Sequence, residues 1–283
     1  MESRKRLAIL MGPPALWLLL LFVLPLGIMA VYTFRAGSFG AEREVFTLEN
    51  YRAFFANAAF QRLMWRSMWI AFVVSALSVL LAYPLAYYLV FRAGPRRITL
   101  LTILIIPAWT SYLLRILSWR LILGSNGILN SVLMSLGLRA EAAPILLYSQ
   151  TAVSITLTYV WIPFVALPIF AGLERIDKSL LEAAADLGCA PWRAFLRITL
   201  PLSMPGVLAG FFFAFIPTVG EYVTPLLVGG ARGIMYGNLV QDQFLRGLNW
   251  PLGSGMSLVM LAVVLALIAI FLRLVRVSEL VEV

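Results

Sequence analysis

The side chains that carry most enzyme chemistry are scarce in this sequence. Its 283 residues include no histidine, a single cysteine and 13 acidic residues. Histidine is the commonest general base and metal ligand, and a lone thiol, Cys189, can form neither an internal disulfide nor a multi-cysteine metal site. A Ser-His-Asp triad cannot be built from this chain, and an enzyme embedded in a membrane would lack a credible catalytic set.

Nucleotide chemistry is also absent from the motifs of this chain. The sequence contains no GxxxxGK(S/T) stretch, which is the loop that cradles phosphates in many ATPases. We therefore expect no cofactor and no metal in this chain, and any ATP hydrolysis linked to it must come from another subunit.

Two acidic residues are notable because of their surroundings. Glu182 opens the small-residue stretch Glu182-Ala183-Ala184, which lies between two long apolar runs. Glu221 is the only acid between Ile198 and Gln241, and it lies next to backbone that is rich in proline and glycine. The first pattern favours a surface that another protein approaches closely, and the second favours a carboxylate held beside irregular backbone.

The composition indicates that lipid is the solvent for most of the chain. Hydrophobic residues make up 62% and charged residues only 12%, whereas soluble domains carry roughly 25% charged residues. The net charge is +9, but the basic residues lie in short clusters between apolar runs. That pattern is typical of membrane topology, so we expect membrane lipid as the surroundings and no nucleic-acid partner.

Apolar stretches near the ~20 residues that span a bilayer predict six transmembrane helices. The first has a basic start, as a signal peptide does, but it is longer than the ~7–15 residues of a signal sequence, so we expect it to be retained. The third contains Arg115 and Arg120. The pattern predicts one all-α integral membrane domain over residues 1–283, with spans at about 7–34, 67–91, 98–123, 145–172, 200–222 and 254–275.

The distribution of basic residues predicts the orientation. Six spans place both termini on the same side, and the segments on that side carry more lysine and arginine than the longer segments on the other side. Because cytoplasmic loops are enriched in these residues, we expect both termini to be cytoplasmic.

The fifth predicted span and its sequel are interrupted by Pro205, Pro217 and Pro225 and then by Gly229-Gly230. Each proline removes a backbone donor and leaves a carbonyl without its partner, and in lipid such carbonyls must be satisfied by protein or by water in a cavity. Residues 217–230 are thus expected to face the protein interior or a solute path. A helix end followed by a re-entrant turn is the alternative.

The segment between spans four and five predicts two short helices at the membrane surface. Apolar residues recur at helical spacing from Ile176 to Leu187, Asp177 is a plausible N-cap, and Gly188 stands where a left-handed residue ends a helix. Pro191 favours the start of a second short helix, before Pro201 marks the beginning of span five. The alternative is an amphipathic helix that rests on lipid headgroups.

The spacing in this segment resembles the EAA loop of ABC importer permeases. Glu182-Ala183-Ala184 is followed by Gly188 and then by Ile198 and Leu200-Pro201 at the spacing of that motif. In that family the loop is a coupling-helix pair that docks on a cytoplasmic ATPase. The resemblance implies a type I importer fold with a coupling loop at residues 173–201, in which the residues that couple to the ATPase are Leu181, Glu182, Ala183, Ala184, Gly188 and Pro201.

Other stretches look like spermidine/putrescine permease subunits. These are residues 111–115, 126–130, 215–225 with Gly229-Gly230, 237–244 and 249–251. The resemblance implies a bacterial inner-membrane importer of polyamines or a related small polar solute. It also implies a second permease subunit, a cytoplasmic ATPase dimer that binds ATP and magnesium, and a periplasmic solute-binding protein.

A polycation would need carboxylates, carbonyls and aromatic faces along its path. Glu221 could instead be a carboxylate exposed to water or a partner for Arg232, and the aromatic residues could be interface anchors. A buried Arg115, which shares a helix face with Tyr112 and Trp119, suits an anion or zwitterion better. The residues that we consider for the solute path are Glu221, Tyr222, Trp109, Tyr112, Arg115 and Asp242.

A transporter driven by an ion gradient is the main alternative. It would account for six spans and broken helices, but not for a small-residue helix pair with the spacing of residues 182–201. Whether transport requires a separate ATPase distinguishes the two classes.

Overall fold

Helices make up nearly all of the computed structural model, which describes residues 2–37, 43–138 and 146–274. The first half contains α1 to α7, with a short two-stranded sheet, β1 and β2, after α2. The second half contains α8 to α14. The bounds are α1 Glu2–Leu18, α2 Leu24–Tyr32, β1 Arg35–Ala36, β2 Arg43–Phe46, α3 Glu49–Ala56, α4 Ala58–Phe91, α5 Arg97–Ile105, α6 Tyr112–Leu123, α7 Ile128–Ser135, α8 Gln150–Glu174, α9 Lys178–Asp186, α10 Pro191–Ala194, α11 Leu200–Val219, α12 Gly230–Gly233, α13 Tyr236–Leu245 and α14 Trp250–Leu274.

Wider or tighter turns join several of these helices. Segments of π-helix lie at Leu19–Val23, Phe195–Thr199 and Pro225–Gly229, and 3-10 turns lie at Gly94–Arg96 and Ile106–Trp109. β1 and β2 pair in antiparallel fashion, with Arg35 opposite Phe46. This short sheet is a small exception to the predicted all-α architecture.

The prediction of a helical chain with several spans is confirmed. Among the described residues, five helices are long and apolar enough to cross a bilayer, namely Leu10–Tyr32, Ala58–Phe91, Gln150–Glu174, Pro191–Val219 and Trp250–Arg273. A sixth span is reached if the bent pair Gly94–Trp109 and Tyr112–Ser135 counts as one. Residues 145 and 275, at the ends of two predicted spans, lie outside the described residues.

The third predicted span, 98–123, is broken and not continuous. Its two halves meet at an angle of 87°. Pro107 lacks a backbone donor, and both the backbone N–H and the hydroxyl of Thr110 bond back to the Pro107 carbonyl, the hydroxyl at 2.7 Å. Thr110 and Ser111 then adopt extended conformations, with ψ angles of 156° and 132°. A hydroxyl that competes for backbone partners, together with a proline, ends the first half-helix.

The described residues form two compact units. One combines residues up to Arg62 with Leu239–Ala266, and the other combines Leu63–Asn238 with the residues from Leu267 onward. In the first unit, the Asn50 side-chain amide donates to the carbonyls of Thr33 and Arg35 at 2.8 and 2.9 Å, and the Tyr51 hydroxyl bonds to the Thr33 hydroxyl at 2.9 Å. These bonds tie α3 to the end of α2. The single permease domain remains a prediction.

In the second unit, α8 and α11 pack closely through small residues. A Cβ atom added at Gly206 would lie 2.5 Å from the Pro168 carbonyl oxygen and 3.2 Å from the Cα of Gly172. Because both helices present glycine at this level, their backbones approach more closely than larger side chains would allow. The core beside this contact contains Val165, Ala166, Ile169 and Ala214.

Gly206→Ala should therefore lower the stability of the folded chain. Alanine is the better helix former by up to ~1 kcal/mol, but the added methyl meets backbone, and overpacking of this kind costs about 1–3 kcal/mol. We expect a lower thermal unfolding midpoint for the purified protein in detergent. The control is Gly27→Ala in α2, where a Cβ would meet nothing within 4 Å. Equal midpoints for the two variants would contradict the close α8–α11 contact.

Candidate functional site

The coupling loop begins with a capped helix, as predicted. The Asp177 carboxylate accepts a hydrogen bond from the Ser179 backbone N–H at 2.9 Å and so caps α9. Hydrogen bonds from Ser179, foremost from its backbone N–H, hold the pKa of Asp177 below its usual value. Gly188 follows α9 with a φ of 73°, in the left-handed region that glycine adopts without strain. The predicted N-cap and the predicted bend are both confirmed.

The second part of the coupling loop differs from the prediction of a separate short helix. A helix does begin at Pro191, but it continues through the π-helical segment Phe195–Thr199 into α11 without a break. Pro201 has no N–H to donate to the Arg197 carbonyl. The Leu200 N–H instead bonds to the Phe195 carbonyl, five residues back. The wider turn therefore absorbs the proline, and the surface helix and span five form one rod.

The coupling loop leaves much of its apolar surface open. Ile176 and Ala184 are buried against the rest of the unit. In contrast, Leu187 is 88% exposed and Trp192 is 62% exposed. Of the predicted coupling residues, Ala184 is buried, Leu181 is half-buried, and the exposed ones are Glu182, Ala183, Gly188 and Pro201. An exposed carboxylate beside small and apolar side chains forms a surface to which a partner protein can bind.

An ion pair lies next to the coupling loop. Arg97, the first residue of α5, pairs with Glu174, the last residue of α8, at 3.1 Å, and both side chains are 41% exposed. The pair joins the start of the broken third span to the residue before the coupling loop. Sequence reasoning missed it, because the two residues lie far apart in the chain.

A polar cluster forms where span five ends. The Tyr112 hydroxyl donates to one carboxylate oxygen of Glu221 at 2.6 Å and lies 2.9 Å from the Thr224 hydroxyl. The other carboxylate oxygen accepts from the backbone N–H groups of Val223 and Thr224 at 2.8 and 3.1 Å. Glu221 therefore caps the helical turn that follows it, and it is half-buried. Among the described residues, no ion pair joins it to Arg232.

Arg115 lies in the same cluster with few partners. It is buried, its guanidinium carbon lies 5.9 Å from the centre of the Tyr112 ring, and its Nη1 reaches the Val160 carbonyl at 3.4 Å. Its Nε has no hydrogen-bond partner among the described residues. The structure thus brings Arg115, Tyr112 and Glu221 together, and Tyr112 contacts both the cation and the carboxylate.

The backbone around Glu221 is held from the following segment. The Asn238 amide donates to the Tyr222 carbonyl at 2.7 Å, and its oxygen accepts from the Met235 N–H at 3.0 Å. Gly237 lies so close that an added Cβ would be 2.6 Å from the Glu221 carbonyl oxygen. The chain from 220 to 238 is therefore a closed, hydrogen-bonded excursion, and the predicted interruption of the helix after span five is confirmed.

The remaining candidates for the solute path are Trp109, Tyr222 and Asp242, of which only Tyr222 adjoins Glu221 in the chain. Trp109 is 86% exposed at the break of the third span, and Tyr222 is 42% exposed beside Glu221. Asp242 belongs to the other compact unit and pairs with Arg246, one helical turn away, at 3.4 Å. The lining of a path by any of these residues, or by Glu221 and Arg115, stays a prediction.

Two residues of this region were missed from the sequence. Thr224 follows Glu221 by three positions, the spacing at which a capping side chain meets the first turn of a helix, and that spacing was a usable signal. Asn238 carried no such signal, because its partners are set by the path of the backbone between residues 222 and 235.

Comparison with known protein families identifies the family of this chain. Residues 7–280 match the family described as the binding-protein-dependent transport system inner membrane component. The chain belongs to this family. It is accordingly a membrane permease component of an ABC importer, as the EAA-loop resemblance predicted, and the alternative of a transporter driven by an ion gradient is set aside.

Several curated relatives are similar over most of their length. The chain is 36% identical to the spermidine/putrescine transport system permease protein PotB of Haemophilus influenzae, over 80% of this chain and 79% of that one. It is 33% identical to PotB of Escherichia coli, over 91% and 93%. It is also 33% identical to a putative 2-aminoethylphosphonate transport system permease protein, PhnU, of Salmonella typhimurium, over 78% of each.

Solved structures share the fold at low identity. A bacterial ABC transporter involved in the import of the acidic polysaccharide alginate matches with a TM-score of 0.76 and 16% identity, over 97% of this chain and 96% of that one. The MetNI methionine ABC transporter matches with a TM-score of 0.58 and 18% identity, over 77% and 95%. These likenesses confirm the importer-permease fold.

Tyr112→Phe should loosen the polar cluster. The substitution removes the donor to the Glu221 carboxylate, and hydrogen bonds to charged groups contribute about 1.5–3 kcal/mol. We expect a lower thermal unfolding midpoint and faster carbodiimide labelling of Glu221, measured by mass spectrometry. The matched control is Tyr88→Phe, because Tyr88 is 54% exposed and its hydroxyl has no hydrogen bond among the described residues. Unchanged labelling of Glu221 in Tyr112→Phe would contradict the assigned bond.

Proposed function

We propose that this chain is one of two permease subunits that together move a small polyamine, or a related polar solute, into the bacterial cytoplasm by alternating access. A separate ATPase dimer supplies the energy and binds ATP and magnesium, and a periplasmic binding protein delivers the solute. Family membership supports the importer class. The observation that supports the proposed mechanism is the single helix that joins the second part of the coupling loop to span five.

Force applied at the coupling loop has a direct route into the membrane. The exposed carboxylate of Glu182 lies on α9, and the exposed Leu187 follows the end of α9, just before the bend at Gly188. From Pro191 a single helix runs to Val219 and ends next to Glu221. A rigid helix transmits a displacement of one end to the other, so closure of an ATPase dimer around α9 would tilt the rod and move the polar cluster at its far end.

The orientation of the chain follows from this mechanism. The ATPase is cytoplasmic in this proposal, so the coupling loop and both termini lie on the cytoplasmic side, and residues 220–238 lie toward the periplasm. This agrees with the distribution of lysine and arginine in the sequence.

The polyamine assignment rests on similarity and on one carboxylate. The PotB relatives are 33–36% identical over most of the chain. Glu221 is half-buried, is oriented by Tyr112, and lies beside the exposed ring of Tyr222. A carboxylate next to aromatic faces can bind an ammonium group through charge and cation–π contact.

A zwitterionic solute such as an aminophosphonate is the second candidate. Arg115 is buried with its Nε unpartnered among the described residues, and guanidinium groups bind phosphonate-like oxygens well. The PhnU relative supports this class of solute. A zwitterion could use Glu221 for its ammonium group and Arg115 for its anionic group.

Glu182→Lys should abolish uptake while the chain still inserts into the membrane. The substitution reverses a charge on the surface that we assign to the ATPase. We expect a loss of binding-protein-stimulated ATP hydrolysis or of ATPase co-purification with the permease. The control is Glu49→Lys, an exposed acid on α3 that lies in the other compact unit. Normal uptake in Glu182→Lys would refute the coupling assignment.

The solute is tested by ATPase activity of the reconstituted complex with its binding protein. The panel contains spermidine, putrescine, 2-aminoethylphosphonate and a small dianion. Polyamine stimulation supports the first candidate, and we then expect Glu221→Gln to lower polyamine uptake at least fivefold, since glutamine keeps the capping oxygen but loses the charge. Stimulation by the aminophosphonate alone supports the second candidate, with Arg115→Gln as the damaging variant. Stimulation by the dianion alone would overturn both.

A further inference from the structure

A cavity of about 590 Å³ opens between the ends of α8 and α11 and the start of α9. We call it the wedge. Its walls are apolar and include Ala171 of α8, Leu180 of α9, and Pro205 and Ala209 of α11, and two charged residues, Arg175 and Asp177, lie at its edge. The volume falls within the ~300–1,000 Å³ of typical ligand pockets, which are likewise mostly apolar with a few polar groups.

Small residues on both helices create this space. Gly172 and Gly206 bring the two backbones into contact, and beside that contact the helices line the wedge mainly with alanine and proline, with Leu202 as the one larger side chain of α11. Ala171 and Ala209 are exposed, so no side chain of the described residues fills the gap. In a bilayer, an apolar gap between two spans is open to acyl chains.

The two charges at the edge of the wedge have no ionic partners. Within the described parts of the chain, neither Arg175 nor Asp177 forms an ion pair, whereas the neighbouring Glu174 is engaged by Arg97. Being two positions apart, their Cα atoms are separated by at most about 7 Å. They therefore present one cation and one anion close together, directly after the end of α8.

The location selects the ligand. α8 is long and apolar enough to cross a bilayer, and it ends at Glu174. The apolar walls of the wedge therefore lie at the level of the acyl chains, and its charged edge lies at the level of the lipid headgroups. A free polyamine would meet Arg175 as well as Asp177. An anionic lipid would satisfy Arg175 but would oppose Asp177. A zwitterionic headgroup offers a phosphate to the guanidinium and an ammonium group to the carboxylate.

We propose that the wedge binds one zwitterionic phospholipid of the phosphatidylethanolamine type. One acyl chain lies between α8 and α11, the phosphate binds Arg175, and the ammonium group binds Asp177. The site involves the residue that caps α9, so an occupied wedge ties the start of the coupling loop to the membrane surface. The site goes beyond the proposed import function and does not depend on which solute is carried.

The test counts lipids on the intact complex, purified in detergent and equilibrated with micelles containing either phosphatidylethanolamine or phosphatidylglycerol. Native mass spectrometry reports the lipids retained on this subunit. We expect one tightly held phosphatidylethanolamine, retained at least fivefold more than phosphatidylglycerol. Equal retention of the two lipids would overturn the zwitterionic assignment.

Variants locate the site. Arg175→Gln and Asp177→Asn should each reduce retention at least fivefold, and asparagine preserves the N-cap of α9. Ala209→Leu should fill the wedge and also displace the lipid. The matched controls are Arg96→Gln, Asp186→Asn and Ala262→Leu, which change exposed residues that do not line the wedge and should retain the lipid. Equal retention in all variants overturns the proposal. Loss of the second permease subunit in Ala209→Leu would also overturn it, because that subunit would then occupy the wedge.

Discussion

Backbone groups in a bilayer have no water to bond with, and three departures from regular helix among the described residues satisfy that constraint. At Ile106–Thr110 the hydroxyl and the N–H of Thr110 turn back to the Pro107 carbonyl. At Phe195–Thr199 a π-helical turn absorbs Pro201. After Val219 the carboxylate of Glu221 receives two N–H groups, and Asn238 closes the excursion. At two of these places side chains satisfy the freed backbone groups, and at the third a wider backbone turn does so.

Small residues bring the two helices on either side of the coupling loop into direct contact. Gly172 and Gly206 allow α8 and α11 to touch along their backbones, so the two spans flanking the coupling loop are packed directly against each other. The helix that contains α11 runs without a break from Pro191 to Val219. In the proposed mechanism, a displacement of its first turn, near Gly188, therefore also displaces its last turn, next to Glu221. The Arg97–Glu174 pair adds a polar link from the same end to the broken third span. In the proposed mechanism, coupling and solute handling are joined by this packed pair of helices.

In the proposed function, Arg115, Tyr112 and Glu221 are the residues that bear most directly on the choice of solute. Tyr112 contacts both the buried guanidinium of Arg115, through its ring, and the half-buried carboxylate of Glu221, through its hydroxyl.

The sequence by itself determined the apolar spans, the capped surface helix at Asp177, the bend at Gly188 and the interruption after Pro217, because each depends on local rules of hydropathy, capping and proline geometry. It also carried the EAA spacing that indicated the family. Only the tertiary structure decided that the third span breaks at Thr110, that the helix from Pro191 joins span five, and that Tyr112 meets Glu221 across more than a hundred residues. The contact between Tyr112 and Glu221 depends on how the helices pack, which spacing along the chain does not encode. The other two features depend on which of several local backbone bonds forms around Pro107 and Pro201, and the presence of proline alone does not decide that choice.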